Sequence, residues 1–313
     1  MDKKTAADYL VMRISPRESY ADLLQFPRYL EIETVNACNA RCPMCTIDDW
    51  QRGFKPMTDE LFAKIASEVI GHADQVRRVS LYRDGEPLLD KKLSRRVAVL
   101  KKGGVKNTAI STNVSLLTEA MATELLEGGL DIIILSIDSL KKPVYESIRA
   151  RLVFEEVLQN ALRFIKLRDK IRPETQIWMR MILQKTNAAE WPEYCRYWRP
   201  RLSKNDRVYY HNIFNWGGQL KGFEPISKSD EPHLPCVALW SLLVIFSNGD
   251  VPLCNVDYNN KYPTGSVVSQ TIADLWRSKL MNERRELHLG GQKGCLSLCK
   301  DCNVWDEPPD TLS

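Results

Sequence analysis

Short apolar runs alternate with longer amphipathic segments along the first two thirds of the chain. The short runs are rich in β-branched and aromatic residues, which predicts buried strands, and the segments between them repeat apolar residues at helical spacing. The predicted strands are Tyr29–Val35, Val76–Tyr82, Asn107–Ser111, Ile132–Ile137, Gln176–Leu183 and Val208–Phe214. The predicted helices are Asp59–Ile70, Lys92–Lys102, Glu119–Leu126, Phe154–Leu167 and Glu190–Trp198. This alternation indicates an α/β fold with a parallel sheet, either a partial barrel or a doubly wound sheet.

Two flanking regions lie outside these repeats. Residues 1–28 are polar with a few apolar anchors and predict a short helix or arm that packs on the sheet. The polar stretch Lys221–His233 predicts a domain boundary near residue 222. Beyond it, Asn248-Gly249 between two apolar runs predicts a β-hairpin, followed by a helix. The apolar runs are Leu242–Phe246 and Val251–Cys254, and the helix covers Ile272–Leu287.

Composition and charge narrow the class of protein. The 313 residues are 44% hydrophobic and 27% charged, as in globular proteins, and no apolar run is long enough for a transmembrane helix. The N-terminus lacks the apolar core of a signal peptide, which predicts a cytoplasmic protein. The net charge of +4 is spread along the chain and predicts neither a nucleic-acid nor a membrane partner. Nine cysteines in such a chain favour metal or catalytic thiolates over disulfides.

Three of these cysteines follow the first predicted strand. Cys38, Cys42 and Cys45 have the spacing C-x3-C-x2-C, which can direct three thiolates at one centre. A structural zinc site requires four ligands, and four-cysteine ferredoxin patterns have a nearby fourth cysteine. Three cysteines without a local fourth predict a [4Fe-4S] cluster with one iron open to a small molecule. A structural zinc site is the alternative.

The motif C-x3-C-x2-C, with Met44 directly before its last cysteine, resembles the radical S-adenosylmethionine (radical SAM) superfamily. The resemblance implies a partial (β/α)6 barrel, a SAM contact at Met44, and chelation of the open iron by the amino and carboxylate groups of SAM. It further implies a flavodoxin or ferredoxin-type reductant and cleavage of SAM to a 5′-deoxyadenosyl radical. That radical removes hydrogen from an unactivated C–H bond.

Later segments resemble the SAM-binding motifs of the same superfamily. Asp84-Gly85-Glu86-Pro87 is similar to a Gly-Gly-Glu-Pro segment whose backbone and acid hold the SAM ammonium, although Asp84 replaces the first glycine. The ends of parallel strands gather ligand sites, and all these segments follow predicted strands. The resemblance also implies ribose and carboxylate contacts, which suit the two-pronged donor geometry of arginine. These further contacts are Asn113, Ser136 of the Ser-x-Asp sequence, and Arg149.

A second set of cysteines lies in the C-terminal part of the chain. It resembles the SPASM/twitch extension of radical SAM enzymes, in which a hairpin and helix bind auxiliary clusters. The set has too few cysteines for the two-cluster SPASM form, so the resemblance implies one auxiliary [4Fe-4S] cluster whose four irons are all bound by cysteine thiolates. The implied domains are a radical SAM core over residues 29–221 and an auxiliary-cluster domain over residues 222–313. A zinc ribbon is the alternative. The implied ligands are Cys236, Cys254, Cys299 and Cys302.

Two cysteines remain outside both sets. Cys195 lies on a predicted helix, where packing is its expected role. Cys295 lies four residues before Cys299, so it is expected near the auxiliary cluster. Three roles stay open for Cys295: a packing thiol, an alternative cluster ligand, or a hydrogen-atom donor to a substrate radical.

The resemblance implies a reaction class. After hydrogen is removed from a carbinol carbon, an auxiliary cluster can take an electron and leave a ketone, which is dehydrogenation. If a thiol such as Cys295 returned a hydrogen atom to the substrate radical, the enzyme would be an epimerase. If the substrate radical lost water or an amine, the enzyme would be a dehydratase. About 28 residues precede the first predicted strand, too few for a leader-binding domain, which favours a sugar, polyol or aminocyclitol over a peptide. The non-catalytic alternatives are an iron–sulfur carrier and a zinc scaffold.

Overall fold

The computed structural model describes residues 2–223 and 234–302. Its main sheet has seven parallel strands in the order β6-β5-β4-β3-β2-β1-β7. A second, two-stranded antiparallel sheet pairs β8 with β9. The α/β fold class predicted from the alternating pattern is therefore confirmed. The strands are β1 Tyr29–Ile32, β2 Arg78–Ser80, β3 Thr108–Thr112, β4 Ile132–Ser136, β5 Gln176–Leu183, β6 Arg207–Asn212, β7 Leu242–Ile245, β8 Asp250–Val251 and β9 Gly265–Ser266.

Helices connect successive strands of the main sheet and flank it at both ends of the chain. The helices within the β/α repeats are α3 Asp59–Gly71, α4 Leu93–Lys102, α5 Glu119–Glu127, α6 Lys142–Ile148, α7 Phe154–Ile171 and α8 Trp191–Trp198. The flanking helices are α1 Lys3–Ile14, α2 Tyr20–Leu23, α9 Ala238–Ser241, α10 Ile272–Trp276, α11 Lys279–Leu289 and α12 Ser297–Lys300. None of the helices in the described residues is long and apolar enough to cross a membrane.

The core forms where the sequence pattern places apolar side chains. Strands β3 and β4 are buried at every position, as expected for central parallel strands. Helix α3 turns Phe62, Ile65 and Val69 toward the sheet. The helix begins where Thr58 accepts a hydrogen bond from the Leu61 N–H, which satisfies one of its free backbone donors. These covering helices leave the carboxyl ends of the strands open for a site.

The predicted hairpin at residues 242–254 has different strand partners. The chain does reverse at Asn248-Gly249, where the Phe246 N–H donates to the Asp250 carbonyl at 2.9 Å. However, β7 pairs in parallel with β1 and becomes the seventh strand of the main sheet. Strand β8 pairs instead with β9. The predicted pairing is wrong because β1 offers an edge to a strand from far along the chain.

The flanking segments also depart from the predicted bounds. The helix predicted over Ile272–Leu287 is two helices, because the Ser278 side chain accepts from the Met281 N–H and starts a new one. The N-terminal arm is helical and buries Leu10 and Ile14. It lies against the C-terminal helices α9 and α11. The boundary predicted near residue 222 adjoins residues 224–233, which lie outside the described residues.

Candidate active site

A cavity of about 760 Å³ runs along the inner face of the main sheet. Both sets of cysteines line it, although they are far apart in sequence. The lining cysteines are Cys38, Cys42, Cys45, Cys236, Cys254, Cys299 and Cys302. Within residues 2–223 and 234–302, no three His, Cys, Asp or Glu side chains converge closely enough to share a single metal ion.

The other two cysteines lie apart from this cavity wall. Cys195 is buried on helix α8, consistent with packing. Cys295 ends a short 3-10 turn and is exposed, and it is not among the cavity-lining residues. Its neighbour Lys293 lines the cavity.

The loop after β1 presents the first cysteine set. The Cys45 N–H donates to the Cys42 carbonyl at 2.9 Å, and the Arg41 N–H donates to the Ala150 carbonyl at 3.0 Å, which ties the loop to the end of α6. Burial raises the pKa of Cys38 to about 11 and that of Cys45 to about 12. Without a metal these thiols stay protonated at neutral pH, so binding a cluster must release protons.

Gly85 lets the turn after β2 lie against the beginning of the cysteine loop. A Cβ atom at this position would lie 2.5 Å from the Val35 carbonyl oxygen and 2.6 Å from the Ala37 carbonyl oxygen. The next residue, Glu86, donates its N–H to the Ala37 carbonyl at 2.8 Å. A glycine is therefore required here by close backbone approach.

The Glu86 carboxylate joins the end of β2 to the end of β3. Its Oε2 accepts from the Asn113 N–H at 2.7 Å, and its Oε1 accepts from the Thr112 hydroxyl at 2.7 Å and the Leu88 N–H at 3.1 Å. Burial raises the pKa of Glu86 to about 6, although these hydrogen bonds oppose the shift. Oε2 keeps one lone pair, so the residue can still accept from a ligand cation in the cavity that it lines.

The end of β4 positions Arg149. Asp138 accepts from the Arg149 Nε at 2.6 Å and from the Ile182 N–H at 2.7 Å, so it anchors the guanidinium to β5. The Arg149 Nη1 lies 4.0 Å from the Cys42 sulfur. Burial by itself lowers the pKa of Arg149, but the nearby Asp138 and Cys42 outweigh it and raise that pKa well above its ordinary value. Arg149 thus stays charged beside the cysteine loop.

The remaining predicted SAM contacts lie on the same cavity wall. Asn113 donates from Nδ2 to Asn39 at 2.9 Å, within the cysteine loop. Ser136 accepts from Arg180 at 2.7 Å. Met44 receives a contact from the Gln184 amide nitrogen at 3.7 Å to its sulfur. The residues that were predicted to contact SAM and that line the cavity are Met44, Asp84, Gly85, Glu86, Asn113, Ser136 and Arg149.

The turn after β6 connects the two cysteine segments. The Trp216 indole N–H donates to the Met44 carbonyl at 3.1 Å. The next residue, Gly217, has φ +68° and lies so close to the C-terminal segment that a Cβ would be 2.7 Å from the Leu298 carbonyl oxygen. Asn215 donates to the Asp301 carbonyl at 2.9 Å. This turn therefore fixes the position of the second cysteine set relative to the first.

Asp84, the departure from the family motif, belongs to a buried ion-pair network. Its carboxylate lies 2.8 Å from Arg83 and 3.2 Å from Arg52. Arg52 also binds Glu33 through two hydrogen bonds of 2.7 and 2.8 Å and donates to the Tyr258 carbonyl at 2.6 Å. The network links the cysteine loop, the main sheet and the C-terminal segment.

Sequence reasoning missed the charged residues on the inner face of the sheet. Glu31, Arg78 and Arg180 lie within β1, β2 and β5 and point into the cavity rather than to solvent. In each of these strands the charged residue alternates with apolar residues. Because successive side chains of a strand point to opposite faces of the sheet, this alternation could have indicated that the charged residues face the inner side. A charged residue within a buried strand indicates a polar interior.

Comparisons with known proteins agree with this geometry. The Radical SAM superfamily profile matches residues 32–193, and the profile of the SPASM iron–sulfur cluster-binding domain matches residues 236–303. The chain is 24% identical over 275 residues to an S-adenosyl-L-methionine-dependent 2-deoxy-scyllo-inosamine dehydrogenase from Niallia circulans, covering 88% of this chain and 92% of the relative. It is also 28% identical over 171 residues to a tungsten-containing aldehyde ferredoxin oxidoreductase cofactor-modifying protein from Pyrococcus furiosus. That match spans 54% of this chain and 48% of the relative, about half its length.

Solved structures share the fold. The BtrN structure in complex with AdoMet and 2-DOIA superposes with a TM-score of 0.62 at 21% identity, covering 88% of this chain and 93% of that one. SuiB from Streptococcus suis, bound to its precursor peptide SuiA, gives a TM-score of 0.67 at 15% identity, covering 90% and 71%. The cofactors of the superfamily are a [4Fe-4S] cluster and SAM, and a SPASM domain adds further iron–sulfur clusters. Two sets of cysteine thiols on one cavity are the donors that such clusters need. The chain belongs to the radical SAM superfamily and is a radical SAM enzyme with a C-terminal SPASM domain.

Proposed function

We propose that this enzyme is a dehydrogenase that oxidises a carbinol of a sugar, polyol or aminocyclitol to a ketone. The observation that carries the proposal is that both cysteine sets line one cavity, so a small substrate can lie between SAM and an auxiliary cluster. The match over 92% of the Niallia circulans relative, whose name describes dehydrogenation of an aminocyclitol, supports the same reaction class.

The chain supplies the ligands and the orientation of the cofactors. In the proposal, Cys38, Cys42 and Cys45 hold the first cluster within the core of residues 29–221, and the domain of residues 222–313 holds one auxiliary cluster. When bound, these groups and SAM supply a radical that removes a hydrogen atom and an acceptor for one electron. The proposed auxiliary ligands, all of which line the cavity, are Cys236, Cys254, Cys299 and Cys302.

SAM orientation is assigned to residues at the strand ends. The lone pair left on the Glu86 Oε2 is available to an N–H of the SAM amino group. Arg149, held by Asp138 beside the cysteine loop, is oriented for a carboxylate, and Ser136 offers a hydroxyl. The remaining contacts are Met44, Asp84, Gly85 and Asn113.

The chemistry balances without a thiol donor. A carbinol that becomes a ketone loses a hydrogen atom from carbon, a proton from oxygen and one electron. Epimerisation needs instead a hydrogen donor on the cavity wall, and the exposed Cys295 is not on that wall. Its position favours dehydrogenation.

The test is turnover without oxygen in the presence of SAM and a flavodoxin or ferredoxin-type reductant. Polyols and aminocyclitols deuterated at each carbinol carbon are screened for transfer of deuterium into 5′-deoxyadenosine and for a ketone product. The expected result is ketone formation matched to 5′-deoxyadenosine. Cys299→Ala should still cleave SAM but lose ketone. Inversion with solvent hydrogen at the product carbon, or a mass change in a peptide and in none of the polyols, would contradict the proposal.

A further inference from the structure

Three arginine side chains and one carboxylate line the cavity on the inner face of the main sheet. The Arg83 Nε lies 3.5 Å from the Glu31 Oε2. Arg78 and Arg180 lie near enough to act electrostatically on the same carboxylate. All four side chains line the cavity that contains both cysteine sets.

Positive charge exceeds negative charge in this group. Asp84 pairs with Arg83 but is shared with Arg52, which also binds Glu33. In the described part of the chain, neither Arg78 nor Arg180 forms an ion pair with a carboxylate. Four guanidinium groups thus face three carboxylates, a difference of 4 − 3 = 1. The guanidinium groups are Arg52, Arg78, Arg83 and Arg180, and the carboxylates are Glu31, Glu33 and Asp84.

Several of these arginine N–H groups are buried without an acceptor among the described residues. They are the Arg83 Nη2, the Arg78 Nε and the Arg180 Nε. The Arg83 side chain is only 7% exposed, and Arg180 donates from Nη2 only to the hydroxyls of Ser111 and Ser136. Buried donors without acceptors are costly, and an oxyanion can accept from two N–H groups of one guanidinium at once.

The arginines lie between the two halves of the site. Arg83 stands 5.9 Å from the centre of the Trp216 ring, in the turn that joins the two cysteine segments. Arg83 and Cys254 of the auxiliary set line the same cavity. Arg180 binds Ser136, which belongs to the SAM side. A molecule that touched both arginines would lie between SAM and the auxiliary cysteines.

We propose that the substrate carries an oxyanion group, a carboxylate or a phosphate ester, which Arg83 and Arg180 bind inside the sheet-lined cavity. This inference rests on the proposed function and narrows its substrate from sugar-like polyols in general to acidic ones. A neutral hydroxyl can accept from one of these N–H groups, as Ser111 and Ser136 do from Arg180, but an oxyanion also neutralises the guanidinium charge and accepts from two of its N–H groups at once.

The test measures anion binding without turnover, so it is independent of whether a ketone is ever formed. Cluster-loaded protein is saturated with SAM, so that the SAM carboxylate site is filled, and its melting temperature is followed with increasing inorganic phosphate or acetate. Chloride replaces each anion at constant ionic strength. Phosphate and acetate in separate series distinguish a phosphate from a carboxylate group on the substrate. A midpoint in melting temperature against anion concentration gives the affinity.

Arg180→Gln is the main variant, because among the described residues Arg180 hydrogen-bonds to two hydroxyls and forms no ion pair with a carboxylate. Arg83→Lys keeps the positive charge beside Asp84 while removing the two-pronged donor. The exposed Arg17, changed to Gln, is the matched control. We expect the parent and Arg17→Gln to bind one of the two anions, and Arg180→Gln to bind it about ten- to a hundredfold more weakly.

Two results would overturn the proposal. One is a parent protein that responds to phosphate and acetate no more than to chloride. The other is an anion response that persists unchanged in Arg180→Gln. If Arg83→Lys then loses only auxiliary iron, the arginines serve the auxiliary cluster and not a substrate oxyanion. Failure of the deuterium-transfer assay would count against dehydrogenation alone.

Discussion

Replacing Gly85 with alanine tests whether close backbone contact between the two motif loops creates the first cluster site. The added methyl group would lie 2.5 Å from the Val35 carbonyl oxygen and 2.6 Å from that of Ala37. Both atoms belong to the backbone that leads into Cys38, so no side-chain rotation can relieve the overlap. The turn must move away from the cysteine loop.

The structure sets the size of the expected effect. Overpacking a tight site costs about 1–3 kcal/mol, and the hydrogen bond from the Glu86 N–H to the Ala37 carbonyl, now 2.8 Å, contributes about 1 kcal/mol more. We expect Gly85→Ala to lower the free energy of unfolding by roughly 2–4 kcal/mol. The displaced loop should also hold the first cluster poorly.

The assay compares urea unfolding and the iron and sulfide content per chain. Gly53→Ala is the matched control, since it lies in the connection between β1 and α3 that carries the three cysteines and a Cβ there meets nothing within 4 Å. The control should keep its iron and its stability, or gain a few tenths of a kcal/mol from a less flexible unfolded chain. Normal iron content and unchanged stability in Gly85→Ala would refute the reasoning.

Three further predictions concern the cofactors. Changing Cys38, Cys42 and Cys45 together to alanine should reduce about eight irons per chain to about four, whereas zinc without sulfide would contradict the cluster assignment. Because burial raises the pKa of Glu86 to about 6, the Glu86 carboxyl must lose its proton below that pH before it can accept from the SAM amino group. Calorimetry should show SAM affinity constant above about pH 7 and falling up to tenfold per unit below about 6, while Glu86→Gln binds weakly at every pH. Cys295→Ala should retain all iron and ketone formation, and loss of about half the iron would make it a ligand.

The sequence alone determined the features that depend on neighbouring residues. Apolar spacing located every strand except β9 and most helices, because alternation and helical periodicity follow from local backbone geometry. The three-cysteine loop and the Gly85-Glu86 turn could be recognised because their functional atoms come from a few consecutive residues. Cys195 was correctly placed on a helix for the same reason.

The tertiary structure decided which distant segments meet. Strand Leu242–Ile245 joined the edge of β1 rather than its neighbour in sequence, since a parallel partner was available there. Asp84 could be understood only once Arg52 and Glu33 were beside it. The inward direction of Arg180 likewise depended on which face of β5 the helices covered. Such contacts arise between residues far apart in the chain, and their spacing in sequence carries no record of the distance between them in space.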